Sequence, residues 1–143
     1  MPADALEPAD PTGLTFPADV FAEMTAHAIA GYPLEACGLL VGAGSTVHRF
    51  VPCTNEAASA RVYTIPPKEL LLAERRAEDD GLEVIGVYHS HTHTDAYPSP
   101  TDVAQAPDPG WHYVIVSLKT ETPDTRSFRI VDGTITEEPV LES

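Results

Sequence analysis

Apolar and polar positions along the chain fall into short blocks with two different periods. Leu14-Thr-Phe16 reads as a short strand. Between Pro17 and Gly31, Val20, Met24, His27 and Ile29 form an imperfect stripe at helical spacing. Pro17 suits the first turn of that helix, and Gly31 with Pro33 suits its end. His27 reads as a packed or solvated residue of the helix, not a functional one. Glu35–Gly42 is an apolar run entered from a Pro turn, the pattern of a buried strand, and Thr46–Pro52 alternates as its hairpin partner. Arg61–Ile65 predicts another short strand. Pro66–Gly81 predicts a second helix, with Leu70, Leu71 and Ala77 toward the core and Glu74–Glu78 in water. Glu83–His89 is almost continuously apolar, as expected of a central strand covered on both faces. His112–Leu118 is a further strand. Arg126–Val131 alternates, Asp132-Gly133 is a hairpin turn signal, and Thr134–Glu137 returns. Two helices among seven or eight strands predict one mixed α/β domain over residues 14–143, with helices on the sheet faces. Residues 1–13 are rich in Pro, Ala and Asp without any period, and predict a mobile acidic tail.

Composition narrows the function classes. The chain has 143 residues, enough for one domain with its own core. Hydrophobic residues make up 43% and charged residues 21%, so a disordered or fibrous chain is excluded. The net charge of −14 opposes phosphate backbones, and nucleic acid is not an expected partner. Apolar runs are too short to span a bilayer, so no membrane partner is expected. The acidic start lacks the basic and apolar parts of a secretory signal. Two cysteines, Cys37 and Cys53, are too few for a stapled secreted scaffold, and the reading is a reduced cytoplasmic compartment.

The segment that carries chemistry is His89-Ser-His-Thr-His-Thr-Asp-Ala-Tyr-Pro-Ser-Pro-Thr-Asp102, directly after the apolar strand. Residues two apart on a strand point to the same side, so His89 and His91 can aim two imidazoles at one point. Ser99-Pro-Thr-Asp102 has the form of a helix start, with Ser as N-cap, Pro at N1 and Asp at N3. A helix returning over the strand end would bring Asp102 beside the two histidines. Two imidazoles and one carboxylate leave a fourth tetrahedral position open, the layout of a catalytic zinc site. Taken singly, each part is weak: a His-x-His pair can be a solvated turn, Ser-x-x-Asp a capping box, and His89, His91 and His93 an adventitious patch.

The joint spacing resembles the signature of the JAMM (MPN+) metallopeptidases, His-x-His-x7-Ser-x2-Asp, filled here by His89, His91, Ser99 and Asp102. The register starting from His91 and His93 fails, because it meets Thr101 and Ala104. Family members also carry an upstream Glu in a context like Glu-x-Cys-Gly-x-Leu-x-Gly, matched by Glu35-Ala-Cys-Gly-Leu-Leu-Val-Gly42. The likeness runs from about Leu14 to Val140. It implies a single MPN domain of cytidine-deaminase-like form, with a mixed, mainly antiparallel sheet. It implies one Zn²⁺ held by His89, His91 and Asp102, with Glu35 as proton acceptor for the attacking water. Ser99 would donate to the tetrahedral oxyanion. Cys37 reads as a packing residue on the strand face opposite Glu35. His112, Tyr97 and Trp111 either line a substrate groove or pack.

Within the family the sequence is similar to members that remove cysteine from the C-terminus of a small ubiquitin-like sulfur carrier. The implied partner is a carrier ending in Gly-Gly, and a homodimer is compatible with the likeness. The loops Ala43–Ser45, Asn55–Ala60 and Thr92–Pro98 are short and suit a flexible, extended tail. Three other readings stand beside this one: trimming of a carrier precursor to expose Gly-Gly, a non-catalytic MPN scaffold, and simple metal binding. Glu35 at its motif position argues against the last. A metallo-β-lactamase-type site would need His at position 96, which is Ala96, and a zinc deaminase would need a Pro-Cys-x-x-Cys pair.

Overall fold

In the computed structural model, which describes residues 13–143, these blocks become one eight-stranded sheet clasped between two helices. In chain order they are β1 (Leu14–Phe16), α1 (Ala18–Gly31), β2 (Cys37–Ala43), β3 (Thr46–Cys53), α2 (Pro67–Asp79) and β4 (Glu83–His91). There follow α3 (Pro100–Ala104), β5 (His112–Ser117), β6 (Asp124–Val131), β7 (Thr134–Glu138) and β8 (Val140–Glu142). The strand order is β7-β6-β5-β4-β2-β3-β1-β8. Strand β1 runs parallel to β3 and β8, and β4 runs parallel to β5; the other pairings are antiparallel. The expected mixed, mainly antiparallel α/β sheet is therefore present. The acidic tail falls almost wholly on residues 1–12, outside the described residues; its last residue, Gly13, is buried, next to the Leu14 N–H that donates to Pro139 O at 2.9 Å.

Strands β2 and β4 are buried on both faces, which is why their sequences are nearly unbroken apolar runs. On the α1 face Leu14, Phe16, Val20, Met24, Leu40, Phe50 and Tyr88 form one core. On the α2 face Leu39, Val41, Ala73, Ala77, Val87 and Tyr113 form another. The register between β2 and β4 shifts at Leu40/Val41, so that Leu40 faces Gly86 and Val41 faces Val84. The shift leaves Ile85 as an extra residue, a bulge. From there the odd positions Val87, His89 and His91 point to the α2 side, and the bulge thereby selects the face that carries the histidines. Two motif glycines are explained by packing. A Cβ on Gly38 would lie 2.5 Å from the Phe50 ring and 2.6 Å from Val51 O, and one on Gly42 would collide with Thr46 O.

Several element-level expectations need correction. The inward stripe of α1 is Val20, Met24 and Ala28, while Ile29 is 55% exposed. On α2 the inward residues are Ala73 and Ala77, with Leu70 half-buried, and Leu71 is 48% exposed. Small alanines face the sheet on α2, with its leucines flanking that seam, whereas α1 turns Val20 and Met24 inward beside Ala28. Arg61–Ile65 is not a strand. Its Tyr63 and Ile65 pack on the α2-side core, but its backbone bonds to Asn55 and Glu56 instead of a neighbouring strand. Strand β8, three residues long, went unanticipated. His27 packs, as expected, with Nδ1 hydrogen-bonded to Tyr88 Oη at 3.0 Å. No helix among the described residues is long and apolar enough to cross a membrane.

His112 packs and does not line a groove. It is buried at the start of β5, and its Nδ1 donates to Glu138 Oε2 at 2.6 Å, which also accepts from Ser127 Oγ at 2.7 Å. Burial pushes the Glu138 carboxyl up, but these hydrogen bonds outweigh it and hold the group below its ordinary 4.5. Folding thus favours ionised Glu138. That stabilisation is present in full above pH 4.5 and is lost as pH falls through the lower folded-state value. Glu138→Gln should cost on the order of 1–3 kcal/mol at neutral pH. It should also flatten the acid limb of an unfolding free-energy profile taken between about pH 3 and pH 6.

Candidate metal centre

The C-terminal end of β4 presents His89 and His91 on one side, and α3 delivers Asp102 to the same point. The three donor atoms form a near-equilateral triangle. His89 Nε2, His91 Nε2 and Asp102 Oδ2 lie 3.1 Å from one another. All three residues are buried, and they are the group that could hold a metal ion among the described residues. In a tetrahedral zinc site with bonds of about 2.0–2.1 Å, neighbouring donors stand roughly 3.3 Å apart. The triangle therefore fits Zn²⁺ with little adjustment.

Local sequence explains each position. Ser99 is the N-cap of α3: its Oγ accepts from Asp102 N at 3.0 Å, and Asp102 Oδ2 accepts from Ser99 N at 2.9 Å. The capping box thus turns Asp102 onto the strand end, so the capping carboxylate is also the one that joins the triangle. His91 Nδ1 donates to Asp95 O at 2.7 Å, an arrangement that would leave Nε2 as the ligating nitrogen once it gives up its proton to bind a metal. The Tyr63 ring stacks on the His89 imidazole, centroids 4.4 Å apart and 19° from parallel. Burial lowers the His89 imidazole below its usual range. Burial also pushes the Asp102 carboxyl up, but the hydrogen bonds with His89 and His91 overcome it and keep the group well below the carboxylate range.

Glu35 lies in the segment just before β2 and is 5% exposed. Its Oε1 is buried without a hydrogen-bond partner among the described residues. Burial raises the carboxyl to about 7, with the charge of His91 opposing and that of Asp102 adding to the rise. A buried oxygen without a partner among the described residues, coupled to the charges of His91 and Asp102, marks Glu35 as a candidate working group of the site. The next residue, Ala36, is tied to β4 between the two histidines: its N–H donates to Ser90 Oγ at 2.8 Å, and its carbonyl accepts from Ser90 N at 2.9 Å. Ser99 Oγ, already an acceptor from Asp102, keeps its own proton free to donate.

The remaining candidates separate clearly. His93 is exposed, with Nδ1 2.9 Å from Thr92 Oγ1 and Nε2 3.4 Å from Tyr32 Oη, outside the triangle. Cys37 is buried, but the face assigned to it was wrong. It stands directly opposite His89 in the ladder, and cross-strand partners share a face, so it lies on the site side. Glu35, two residues earlier, is coupled to the same site, as the period-2 alternation of an extended chain requires. Burial pushes the Cys37 thiol up to about 12, so it stays protonated. Tyr97 is exposed and meets Phe128 edge-on, and Trp111 packs on the α2-side core. Tyr63 was missed: nothing local marks a tyrosine in an irregular segment as the neighbour of a histidine far along the chain.

Comparison with known proteins agrees with this geometry. Residues 17–131 match the family described as prokaryotic homologs of the JAB domain. The chain is 44% identical over 130 residues to the CysO-cysteine peptidase of Mycobacterium tuberculosis (strain ATCC 25618 / H37Rv), covering 89% of each. It is 37% identical over 111 residues to the desampylase of Haloferax volcanii, covering 73% of this chain and 80% of that one. The crystal structure of a JAB1/MPN domain protein from Archaeoglobus fulgidus superposes with a TM-score of 0.60, at 18% identity, over 90% of this chain and all of that one. That likeness speaks for the fold alone.

Proposed function

The chain belongs to the family of prokaryotic homologs of the JAB domain, and from that premise we propose a zinc-dependent peptidase that hydrolyses the bond between the C-terminal Gly of a ubiquitin-like sulfur carrier and an added cysteine. The observation that carries the reading is the buried triangle of His89, His91 and Asp102 with the unpartnered Glu35 Oε1 beside it. A scaffold module needs neither. The cysteine-releasing substrate is supported by the 44% identity with a CysO-cysteine peptidase, and the product would serve cysteine biosynthesis.

His89, His91 and Asp102 would hold the Zn²⁺, which when bound lowers the pKa of a water ligand to about 7 and polarises a carbonyl. Asp95 O fixes the His91 tautomer that leaves Nε2 free for that task. The Glu35 carboxylate takes the proton of the attacking water and returns it to the leaving amine nitrogen. The free Ser99 proton donates to the scissile carbonyl oxygen as it gains charge. A Gly-Gly tail has no side chains to exclude and can lie close to the sheet.

Intact-mass spectrometry of a carrier–cysteine adduct incubated with the zinc-loaded protein tests the reading. Loss of one cysteine residue, absent with Glu35→Gln, is the expected result. An intact adduct beside a longer C-terminal extension trimmed to Gly-Gly would assign the protein to precursor processing. An adduct and an extension both left intact would leave a scaffold.

A further inference from the structure

Glu35 Oε1 has no partner among the described residues, so the carboxylate's direction depends on how its backbone is held. Both polar backbone atoms of Glu35 end on one loop. Its N–H donates to Ser59 O at 2.8 Å, and its carbonyl accepts from Asn55 Nδ2 at 3.0 Å. The same Nδ2 donates to Val62 O at 3.0 Å, with Ser59 O at 3.5 Å. Asn55 Oδ1 accepts from Ala57 N at 3.1 Å and Thr64 N at 3.0 Å. Oδ1 serves the 55–64 loop alone, whereas Nδ2 both closes the loop at Val62 and fastens it to Glu35.

We propose that Asn55 is a positioning residue for Glu35: its amide N–H holds the Glu35 peptide so that the carboxylate stays beside His91 and Asp102. The proposal rests on the role given to Glu35 above. A buried carboxylate gains solvation by swinging toward water, and a general base must be held to within about 0.5 Å of its productive place. Ala36, bonded to Ser90, fixes one side of Glu35. Asn55 and the loop it closes fix the other. Nothing else in the Asn55–Ala60 loop requires a side chain that both donates and accepts.

Asn55→Asp preserves one end of the amide and inverts the other. It keeps an acceptor for Ala57 and Thr64 and places a second oxygen against the Glu35 and Val62 carbonyls. Zinc content should stay unchanged and kcat should fall about 10–100-fold with KM nearly constant. In the Glu35→Gln background the same change should cost less than about threefold, because residues that act through one another are not additive. Asn55→Ala, which introduces no charge, should show the same collapse and covers the case in which the aspartate variant fails to fold. An equal loss in both backgrounds, or wild-type kcat in both variants, would overturn the proposal. Amide hydrogen exchange tests it without turnover. The Glu35 N–H should lose protection in Asn55→Asp while Ala57 and Thr64 keep theirs, and unchanged Glu35 protection would overturn it even if the adduct proves not to be the substrate.

Discussion

Glu35→Gln is expected to lower turnover of the carrier–cysteine adduct by about 10²–10⁴-fold with the bound zinc retained. Glutamine keeps the shape but cannot take a proton, and Glu35 is not one of the three converging donors. The same substitution should stabilise the metal-free protein. Burial raises the Glu35 carboxyl from 4.5 to about 7, so in that interval the folded state binds more protons than the unfolded one. Stability therefore falls as pH rises from 4.5 to about 7 and stays reduced above it. The cost of the ionised group at pH 8 is about 3 kcal/mol. Glutamine carries no such cost. Unfolding with chelator present should find the variant more stable than wild type at pH 8, by up to that amount, with the gap closing below pH 4.5. Near-normal turnover of the variant would move the proton acceptor elsewhere. A wild type as stable as the variant at pH 8 would show that the Glu35 carboxylate is not desolvated.

How much of this was legible in the sequence follows the range of the interactions. His89, His91, Ser99 and Asp102 could be placed because strand alternation and the capping box are local rules acting over a few residues. Both helices and most strands could be placed for the same reason. What failed depends on partners far along the chain. Ile29 and Leu71 carry strong apolar signals, yet the residues turned to the sheet are Val20, Met24 and Ala28 on α1 and Ala73 and Ala77 on α2, because the face that meets the sheet is set by the tertiary packing. Arg61–Ile65 shows the composition of a strand, but the Asn55 side chain replaces the ladder. The expected face of Cys37 was wrong because residues two apart on an extended chain share a side, so Cys37 goes with Glu35 and with its ladder partner His89. Tyr63 and Asn55 reach the site only through tertiary contacts, with His89 and with the Glu35 carbonyl. No spacing rule connects them to it.

His91→Ala is expected to abolish stoichiometric zinc binding and, with it, hydrolysis down to background. Removal of one corner of the triangle leaves His89 Nε2 and Asp102 Oδ2, 3.1 Å apart, as a two-donor site. Two protein donors do not hold zinc in the tetrahedral closed form that three or four provide. The domain itself should survive. Its two cores lie along the sheet faces, around Met24 and Tyr88 on one side and Leu39 and Val87 on the other, and are built without the site residues. Metal should then act on stability by mass action alone: zinc added to the metal-free wild type raises the melting temperature in a concentration-dependent way. At a free concentration of 100 times its Kd the gain is about 2.7 kcal/mol. His91→Ala should melt cooperatively with or without zinc, at a temperature that zinc does not shift. Full zinc occupancy in the variant would remove His91 from the ligand set. A metal-free wild type without a cooperative transition would mean that the ion, and not the paired cores, holds the sheet and helices together.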